Sequence, residues 1–557
     1  MVTNKDLAEL IFPEVKDTLE DLERRYPTRD LPLGAEVTRF APSPTGFLHL
    51  GSLFTSMICK KVASQTKGVF FVRLEDTDTK REIQGSGKML LDQLHIFNVD
   101  PDEGYLGDHE KGNYGPYKQS ERAYIYKVGI KYLLEQGRAY PCFCTSEELD
   151  AIRSEQEKNK LNPGYYGEFA KCRHLTNEER MERIKRGDPY VIRFKSNGSY
   201  LNKIKVSDVV RGEFEIAQND QDIVILKSDG LPTYHFAHCM DDHFMRTTTV
   251  IRGEEWIASL PIHVELFEAM GWEAPKYCHV PVIMKLDENG NRRKLSKRLD
   301  KEAAVSFFIE DGYLPKAVIM YLMTIANSNF ERWILDNQFL NMDDFTFDFT
   351  KMNHDGALFD IGKLNFFSKE LLGRMKLDEI YAFAYDYAKK YNNELYKLIN
   401  RDTEYFKSIL NIEREKENPR KDYEKLGDMA SIISFFYLDK YEELLGNNIL
   451  PFNPKFSGEQ IAATLKAMKE GLSLEQDEQP WFNNMKEVGE KLGYAPNGKL
   501  YKQNPDQYVG SVSDIAEMLR ITLTTRKNSP NLYYVMKILT KQECDRRIDY
   551  VISLLNK

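Results

Sequence analysis

Within the segment TRFAPSPTGFLHLGS at 38–52, side chains and backbone together suit a phosphate. Val37 to Phe40 reads as a short strand, Pro42 and Pro44 stiffen the turn that follows, and Gly46 and Gly51 allow close backbone approach. From Leu50 a helix is expected, with Leu53, Phe54, Met57, Ile58 and Val62 on one broad face. A strand running into a helix leaves several amide N–H groups without intrahelical partners. Together with the helix dipole and the His49 imidazole, they favour an anion just beyond the strand end.

Three expected strand ends carry charge: Arg39, Glu75 after Val72-Arg73-Leu74, and Arg252 after Val250-Ile251. Ligands of an open parallel sheet collect outside such ends. Two arginines and one carboxylate match a ligand with two carboxylates and one ammonium, which is the constitution of glutamate. Any one of the three alone would read as an ordinary surface ion pair. Further on, NRRKLSKR at 291–298 places Lys294, Ser296, Lys297 and Arg298 in one run. Lysines on a loop can neutralise a reacting triphosphate, whereas alone the run would read as a solvated face. Cys142-Phe-Cys144 and Cys172-Arg-His174 flank a charged helix expected at Ser146 to Lys160. Three thiolates and an imidazole can close a tetrahedral zinc site, with Tyr166 as an alternative fourth ligand.

The elements that must position these groups alternate along the chain. Strands at Val37 and at 68–74 flank the first helix, which predicts a parallel sheet. Residues 1–34 read as an amphipathic helix and a linker, packed against the sheet domain. The stretch 115–215 reads as an α+β insertion, after which strand patterning resumes at 222–226 and 247–251, so the sheet domain is expected to be split into 35–114 and 216–285. Residues 286–370 carry the lysine loop and a connecting domain. From 371 to 557 helical periods dominate, including 370–390, 515–525 and 532–539, and predict an all-α region.

With 557 residues and 42% hydrophobic content the chain exceeds one ordinary core. A net charge of −9 excludes a basic coat and confines any RNA contact to local patches. No apolar run is long enough to span a membrane, and the first residues lack a basic region followed by an apolar one. Seven cysteines, an odd number, fit reduced thiols or a metal in a cytoplasmic protein.

The 38–52 segment resembles the HIGH signature of class I aminoacyl-tRNA synthetases in the form of the glutamyl branch, and KLSKR at 294–298 resembles the KMSKS loop of the same branch. RLEDTD at 73–78, DGLPTYHFAHCMDDHFM at 229–245 and VIRGEEW at 250–256 are similar to further blocks of that family. The resemblance implies a class I Rossmann-type α/β catalytic domain, an inserted acceptor-stem domain and a helical anticodon-binding region, with the blocks DGYLPKAVIMYL and GALFDIGKLNFFS linking them. Ser368 departs from a frequent asparagine. LRITLTTRKNSPNLYYVMKIL at 519–539 resembles the helical anticodon domain of bacterial members.

The activity so implied is ATP-dependent activation of L-glutamate and its transfer to the tRNA for glutamate, with glutamine tRNA as a second acceptor left open and a monomer expected. Arg39, Ala41, Ser43, Glu75, Tyr234 and Arg252 would hold glutamate. Thr45, Gly46, His49, Gly51, Ser52, Lys294, Ser296, Lys297 and Arg298 would hold ATP and its Mg2+, with His49 and Lys297 catalytic. Cys142, Cys144, Cys172 and His174 fall where some members bind zinc. His238 falls where members carry asparagine or an apolar residue, so substrate contact and simple packing are both open. A glutaminyl relative would carry a PEPNG-like first motif and β-barrels. A shortened queuosine-modifying relative would lack the helical third, and an inactive tRNA-binding module would not need His49, Glu75, Arg252 and Lys297 together.

Overall fold

Strand β1 (Val37–Phe40) is buried at all four positions, as expected of an inner strand of a parallel sheet covered on both faces. In this computed structural model, which describes residues 2–78, 83–296, 298–337, 339, 341–354, 356–447 and 450–556, β1 pairs in parallel with β2 (Val69–Val72), Val37 opposite Val69 and Phe40 opposite Val72. Strand β2 in turn pairs in parallel with β3 (Glu103–Tyr105). On its other side β1 meets β4 (Thr249–Gly253): the Thr248 N–H donates to the Val37 carbonyl at 3.0 Å, and the Val37 N–H to Thr248 Oγ1 at 2.8 Å. Strand β4 pairs in parallel with β5 (Lys276–Val280). The order is therefore β3-β2-β1 against β4-β5, and the chain leaves β1 and β4 in opposite directions. That reversal makes the carboxyl end of the β1/β4 seam the place for a ligand.

Helix α1 (Leu50–Gln65) follows β1, α2 (Ser86–Ile96) lies between β2 and β3, α3 (Tyr234–Phe244) precedes β4, and α4 (Leu260–Ala269) joins β4 to β5. Leu53, Phe54, Met57, Ile58 and Val62 of α1 are all buried, as their spacing predicts. Each such side chain stabilises the fold by roughly 1.5–3 kcal/mol.

The N-terminal stretch forms two helices rather than one, Asn4–Ile11 and Leu19–Arg25, each opened by a threonine capping box. Pro13 separates them, because it offers no N–H and drives Phe12 out of helical geometry. Both pack on the catalytic half: Lys131 Nζ reaches Glu9 at 2.7 Å and the Val15 carbonyl at 2.8 Å, and the Tyr26 hydroxyl donates to the Gly115 carbonyl.

The inserted segment carries an antiparallel sheet of Ala139–Cys142, Val191–Phe194 and Val224–Leu226, with the helix Ser146–Lys158 beside it in sequence. Val224–Leu226 was expected in the resumed parallel sheet, and the pairing corrects this. A three-residue apolar strand carries no signal of which sheet it joins, and Arg193 fixes the choice by donating to the Asp222 carbonyl at 2.8 Å. The hairpin Lys203–Asp208 and Gly212–Ala217 meets β5 where Tyr277 faces Asp208.

The chain forms two units, Met1–Phe308 with Ile319–Asp360, and Ile309–Val318 with Ile361–Lys557. Residues 286–370, read above as one domain, divide between them. The second unit contains no strand among the described residues. Its helices include Ile361–Arg374, Leu377–Tyr391, Gly458–Gly471, Val512–Thr524 and Leu532–Leu555, the all-α region expected. Inside this unit the buried Arg547 donates to the carbonyls of Phe435 and Leu523 and lies 3.8 Å above the Tyr441 ring. No helix among the described residues is long and apolar enough to cross a membrane.

Gly68 enters β2 where the Val69 N–H donates to the Glu36 carbonyl, and a methyl group there would overlap that carbonyl. Gly68→Ala should lower stability by about 1–3 kcal/mol in a denaturant or thermal melt, the usual cost of overpacking.

Candidate active site

After β1 the chain turns through two prolines and starts α1 with His49 as its N-cap. The His49 Nδ1 accepts the Gly51 N–H at 3.0 Å. That bond leaves the imidazole proton on Nε2, a donor suited to a phosphate oxygen. The turn is fixed on the opposite side as well. The Glu75 N–H donates to the Pro42 carbonyl, Ser86 Oγ to the Pro44 carbonyl, and the Leu48 N–H to Gln93 Oε1. Gly46 sits at φ +132°, a region that disfavours any side chain.

A cavity of about 610 Å³ opens at the seam. Of the residues assigned to glutamate, Arg39, Ala41, Ser43, Glu75, Tyr234 and Arg252 all line it, and so do His49, Gly51, Ser52 and Lys294 from the ATP set. Thr45, Gly46, Ser296 and Arg298 do not reach the wall. Thr45 and Arg298 are exposed, and Ser296 is tied by its N–H to Asp300 Oδ2 at 2.9 Å. Lys297 lies outside the described residues.

A buried ionic network sets the charges of this cavity. Arg39 Nε donates to both Asp242 oxygens at 3.1 and 3.3 Å, and Arg73 donates to Asp242 at 2.8 Å and to Glu75 at 3.0 Å. Asp241, the neighbour of Asp242 on α3, accepts from Arg122 at 2.6 Å, Gln119 and Tyr126. Burial alone would raise the Asp242 carboxyl, but Arg39, Arg73 and His238 hold it well below the ordinary range. Burial pushes Glu75 up against the pull of Arg73 and Arg39, and an incoming ammonium would add a further cation beside it. Removing one partner from such a buried set costs about 3–5 kcal/mol.

Across the seam Arg252 is held differently. Its Nε donates to His279 Nε2 at 3.0 Å, while one terminal nitrogen faces His263 Nδ1 at 3.2 Å and the Tyr234 hydroxyl at 3.4 Å. Tyr234 packs on Trp256, ring centres 4.4 Å apart. His238 is a packed side chain and not part of the wall: it is fully buried, with Nδ1 at 2.5 Å from Asp242 and Nε2 at 3.0 Å from the Tyr277 hydroxyl. Burial lowers it to about 3, so it is neutral.

The lysine run begins on a hairpin, Ile283–Leu286 antiparallel to Arg292–Lys294. Lys294 Nζ meets Glu255 on the cavity wall at 2.8 Å. Arg293 forks onto Asp300 at 2.6 and 2.8 Å, fixing the chain after the loop. That chain then returns to the first motif: the Val305 N–H donates to the Leu48 carbonyl, and Ala304 bridges His49.

Sequence reasoning missed Arg73, Asp241, Asp242, His263, His279, Glu255 and Trp256. Two adjacent acids on the buried face of α3, among Phe236, Ala237, Met240 and Phe244, were a signal that buried cations must face them. His279 and its partner Asp208 gave none, because the contact joins distant parts of the chain.

In the inserted segment Cys142, Cys144 and Cys172 bring their Sγ atoms within 4.8 Å of one another. The fourth ligand expected, His174, is not among them: it is exposed, with Nε2 3.3 Å from the Gly167 carbonyl. Tyr166 is not there either, since its hydroxyl donates to the Asn162 carbonyl. The Tyr165 hydroxyl lies beside the thiols, 3.4 Å from Cys142 Sγ and 3.2 Å from Cys144 Sγ, and accepts the Cys172 N–H at 3.0 Å. Two short helical turns, 167–169 and 171–174, return Cys172 to the cluster and carry His174 past it. Hydrogen bonds from Cys144 and Cys172 pull the Cys142 thiol below its ordinary value, and the same contacts push Cys144 up, so a negative charge in the cluster is shared through these contacts.

A family model described as tRNA synthetases class I (E and Q), catalytic domain, matches residues 36–366. The glutamate–tRNA ligase of Clostridium perfringens (strain 13 / Type A) is 46% identical over 546 residues, covering 98% of this chain and 100% of its own. That of Sorangium cellulosum (strain So ce56) is 40% identical over 555 residues, covering 95% and 97%. The crystal structure of a glutamate tRNA ligase from Elizabethkingia meningosepticum in complex with its amino acid superimposes with a TM-score of 0.72 at 29% identity, covering 93% of this chain and 99% of that one. The split parallel sheet, the phosphate-friendly turn at its seam and these likenesses agree: the chain belongs to the class I tRNA synthetases of the E and Q group, among the glutamate–tRNA ligases.

Proposed function

We infer that the protein activates L-glutamate with ATP and transfers it to the 3′-terminal adenosine of the tRNA for glutamate. The observation that carries this reading is the pairing of Glu75 with Arg39 and Arg252 in one cavity whose next wall is the His49–Ser52 helix start. Glu75 receives the ammonium group, and the two arginines receive the carboxylates. An oxygen of the α-carboxylate bonds to the α-phosphorus of ATP, the bond to the bridging oxygen breaks, and pyrophosphate leaves. His49 Nε2–H and the amides of Gly51 and Ser52 meet the phosphates from one side. Lys294, Ser296, Lys297 and Arg298 meet them from the lysine loop once Lys294 leaves Glu255. No protein nucleophile is needed, because positioning and charge neutralisation suffice. Magnesium, carried on the phosphates, neutralises part of their charge. The ribose hydroxyl of the tRNA then attacks the activated carbonyl and AMP departs. We read the protein as a cytoplasmic monomer whose helical unit reads the anticodon.

Pyrophosphate exchange with glutamate, ATP and tRNA tests the activity, and charging of both purified glutamate and glutamine tRNAs sets its range. Absence of exchange alongside normal tRNA binding would replace the enzyme with a binding module. Lys297→Ala should slow exchange by roughly 100-fold or more, the scale of losing one group that stabilises transition-state charge, while tRNA affinity changes little. Equal losses in both would remove Lys297 from this role.

Glu75 must be ionised to hold the ammonium, and its carboxyl is raised above the ordinary value by burial. As pH falls through that raised value the KM for glutamate should climb, before free carboxylates protonate. In Glu75→Gln the KM should be high at every pH and this titration lost.

Cys142, Cys144 and Cys172 offer three thiols that fit zinc, a divalent ion that accepts thiolates and closes tetrahedral sites. The ion would tie the strand carrying Cys142 to the turn carrying Cys172. Chelation should lower the melting temperature, and Cys144→Ser should remove about one metal per chain by elemental analysis. Full metal-free protein with an unchanged melt would argue for plain thiols.

A further inference from the structure

The two arginines of the glutamate cavity are supported by opposite kinds of partner. Arg39 gives its Nε to a carboxylate, Asp242. Arg252 gives its Nε to His279 Nε2 and faces His263 Nδ1 with a terminal nitrogen. A guanidinium only donates, so both imidazole nitrogens must be lone pairs. The rest of the network agrees. His279 Nδ1 lies 2.7 Å from Asp208 Oδ2 and carries the proton there. The His263 proton falls on Nε2, 3.0 Å from His235 Nδ1. All three rings are therefore neutral. Burial lowers each of them: His263 well below the usual value, with His238 and Arg252 adding to the effect; His235 to about 4; and His279 against the opposing pull of Asp208.

The reacting α-carboxylate has to face the His49–Ser52 turn, which follows β1. The substrate side chain must then extend across the seam toward β4, where Arg252 lies 5% exposed beside the half-buried Tyr234. A carboxylate partner at Arg252 would offset part of its charge before the ligand arrives, as Asp242 does for Arg39. An imidazole lone pair orients the guanidinium and cancels nothing.

We propose that His263 and His279 are specificity-determining positioning residues: they aim Arg252 while leaving its positive charge for the substrate, so that the cavity takes a side-chain carboxylate in preference to a carboxamide. This rests on the reading that Arg252 binds a substrate carboxylate.

The test compares two nearly isosteric variants of the full chain in pyrophosphate exchange with glutamate and with glutamine. In His263→Asn the amide oxygen stands in for Nδ1 as a neutral acceptor, and the KM for glutamate should stay close to that of the unaltered protein. In His263→Asp the same position carries a negative charge. The KM for glutamate should rise roughly 10- to 100-fold, the worth of a hydrogen bond to a charged group, with kcat moving far less and the preference over glutamine narrowing. Equal KM values and preferences in folded Asn and Asp variants would overturn the proposal. Asp208→Asn supplies an independent arm. The N–H groups of Val210 and Arg211 on Oδ1 hold the amide oxygen there, so the amide nitrogen would face the His279 Nδ1, turn the proton to Nε2 and set donor against donor at Arg252; KM should rise, and the melt should fall only by the loss of the acceptor for the His279 N–H. An unchanged KM in that variant would also overturn it. If the unaltered protein gives no exchange with glutamate at all, the substrate reading itself falls. Normal exchange with insensitive variants removes only the role of the histidines.

Discussion

The Asp242 carboxylate is the junction on which the cavity depends. It gathers Arg39 from the end of β1, Arg73 from beyond β2, His238 from its own helix and the Thr247 hydroxyl ahead of β4. Elements that enclose the seam from three directions are thus fixed to one buried group. An isolated ion in that position would be costly, and two arginines with further hydrogen bonds make it stable. The same group sets the character of its neighbours. Arg73, drawn to Asp242, also reaches Glu75 and keeps that acid in place at the cavity edge.

The result is a division of labour between scaffold charges and ligand charges. Arg73 and Arg122 are spent on Asp241 and Asp242 and never meet the cavity. Glu75 is only partly compensated, and burial keeps its carboxyl raised. Arg252 leans on imidazoles. These charged groups therefore differ in readiness for a ligand because of what stands behind them, not because of their own chemistry.

Much of this was legible in the chain itself. Apolar spacing in Leu53–Val62, the prolines and glycines of the first motif and the charges after each strand all reflect local rules, and they led to β1, α1 and the cavity residues. What stayed hidden depends on meetings between distant residues. Nothing near Val224 says that it pairs with Arg193 in place of the parallel sheet. His174, with Tyr166 as the alternative, was the fourth ligand suggested by spacing, and the path of two short turns carries His174 past the three thiols. Pro13 did announce the break in the N-terminal helix, and a stricter use of its missing N–H would have divided that segment in two.

The lysine hairpin is moored at both ends. Its incoming strand is laddered to Met284, and its outgoing chain, clasped by Arg293 on Asp300, is stitched at Ala304 and Val305 to the backbone of Leu48 and His49. The loop thus works as a handle hinged to the very turn it must serve. Any displacement of Lys294 is therefore referred to the backbone of Leu48 and His49, and the hairpin and the first turn keep a common frame.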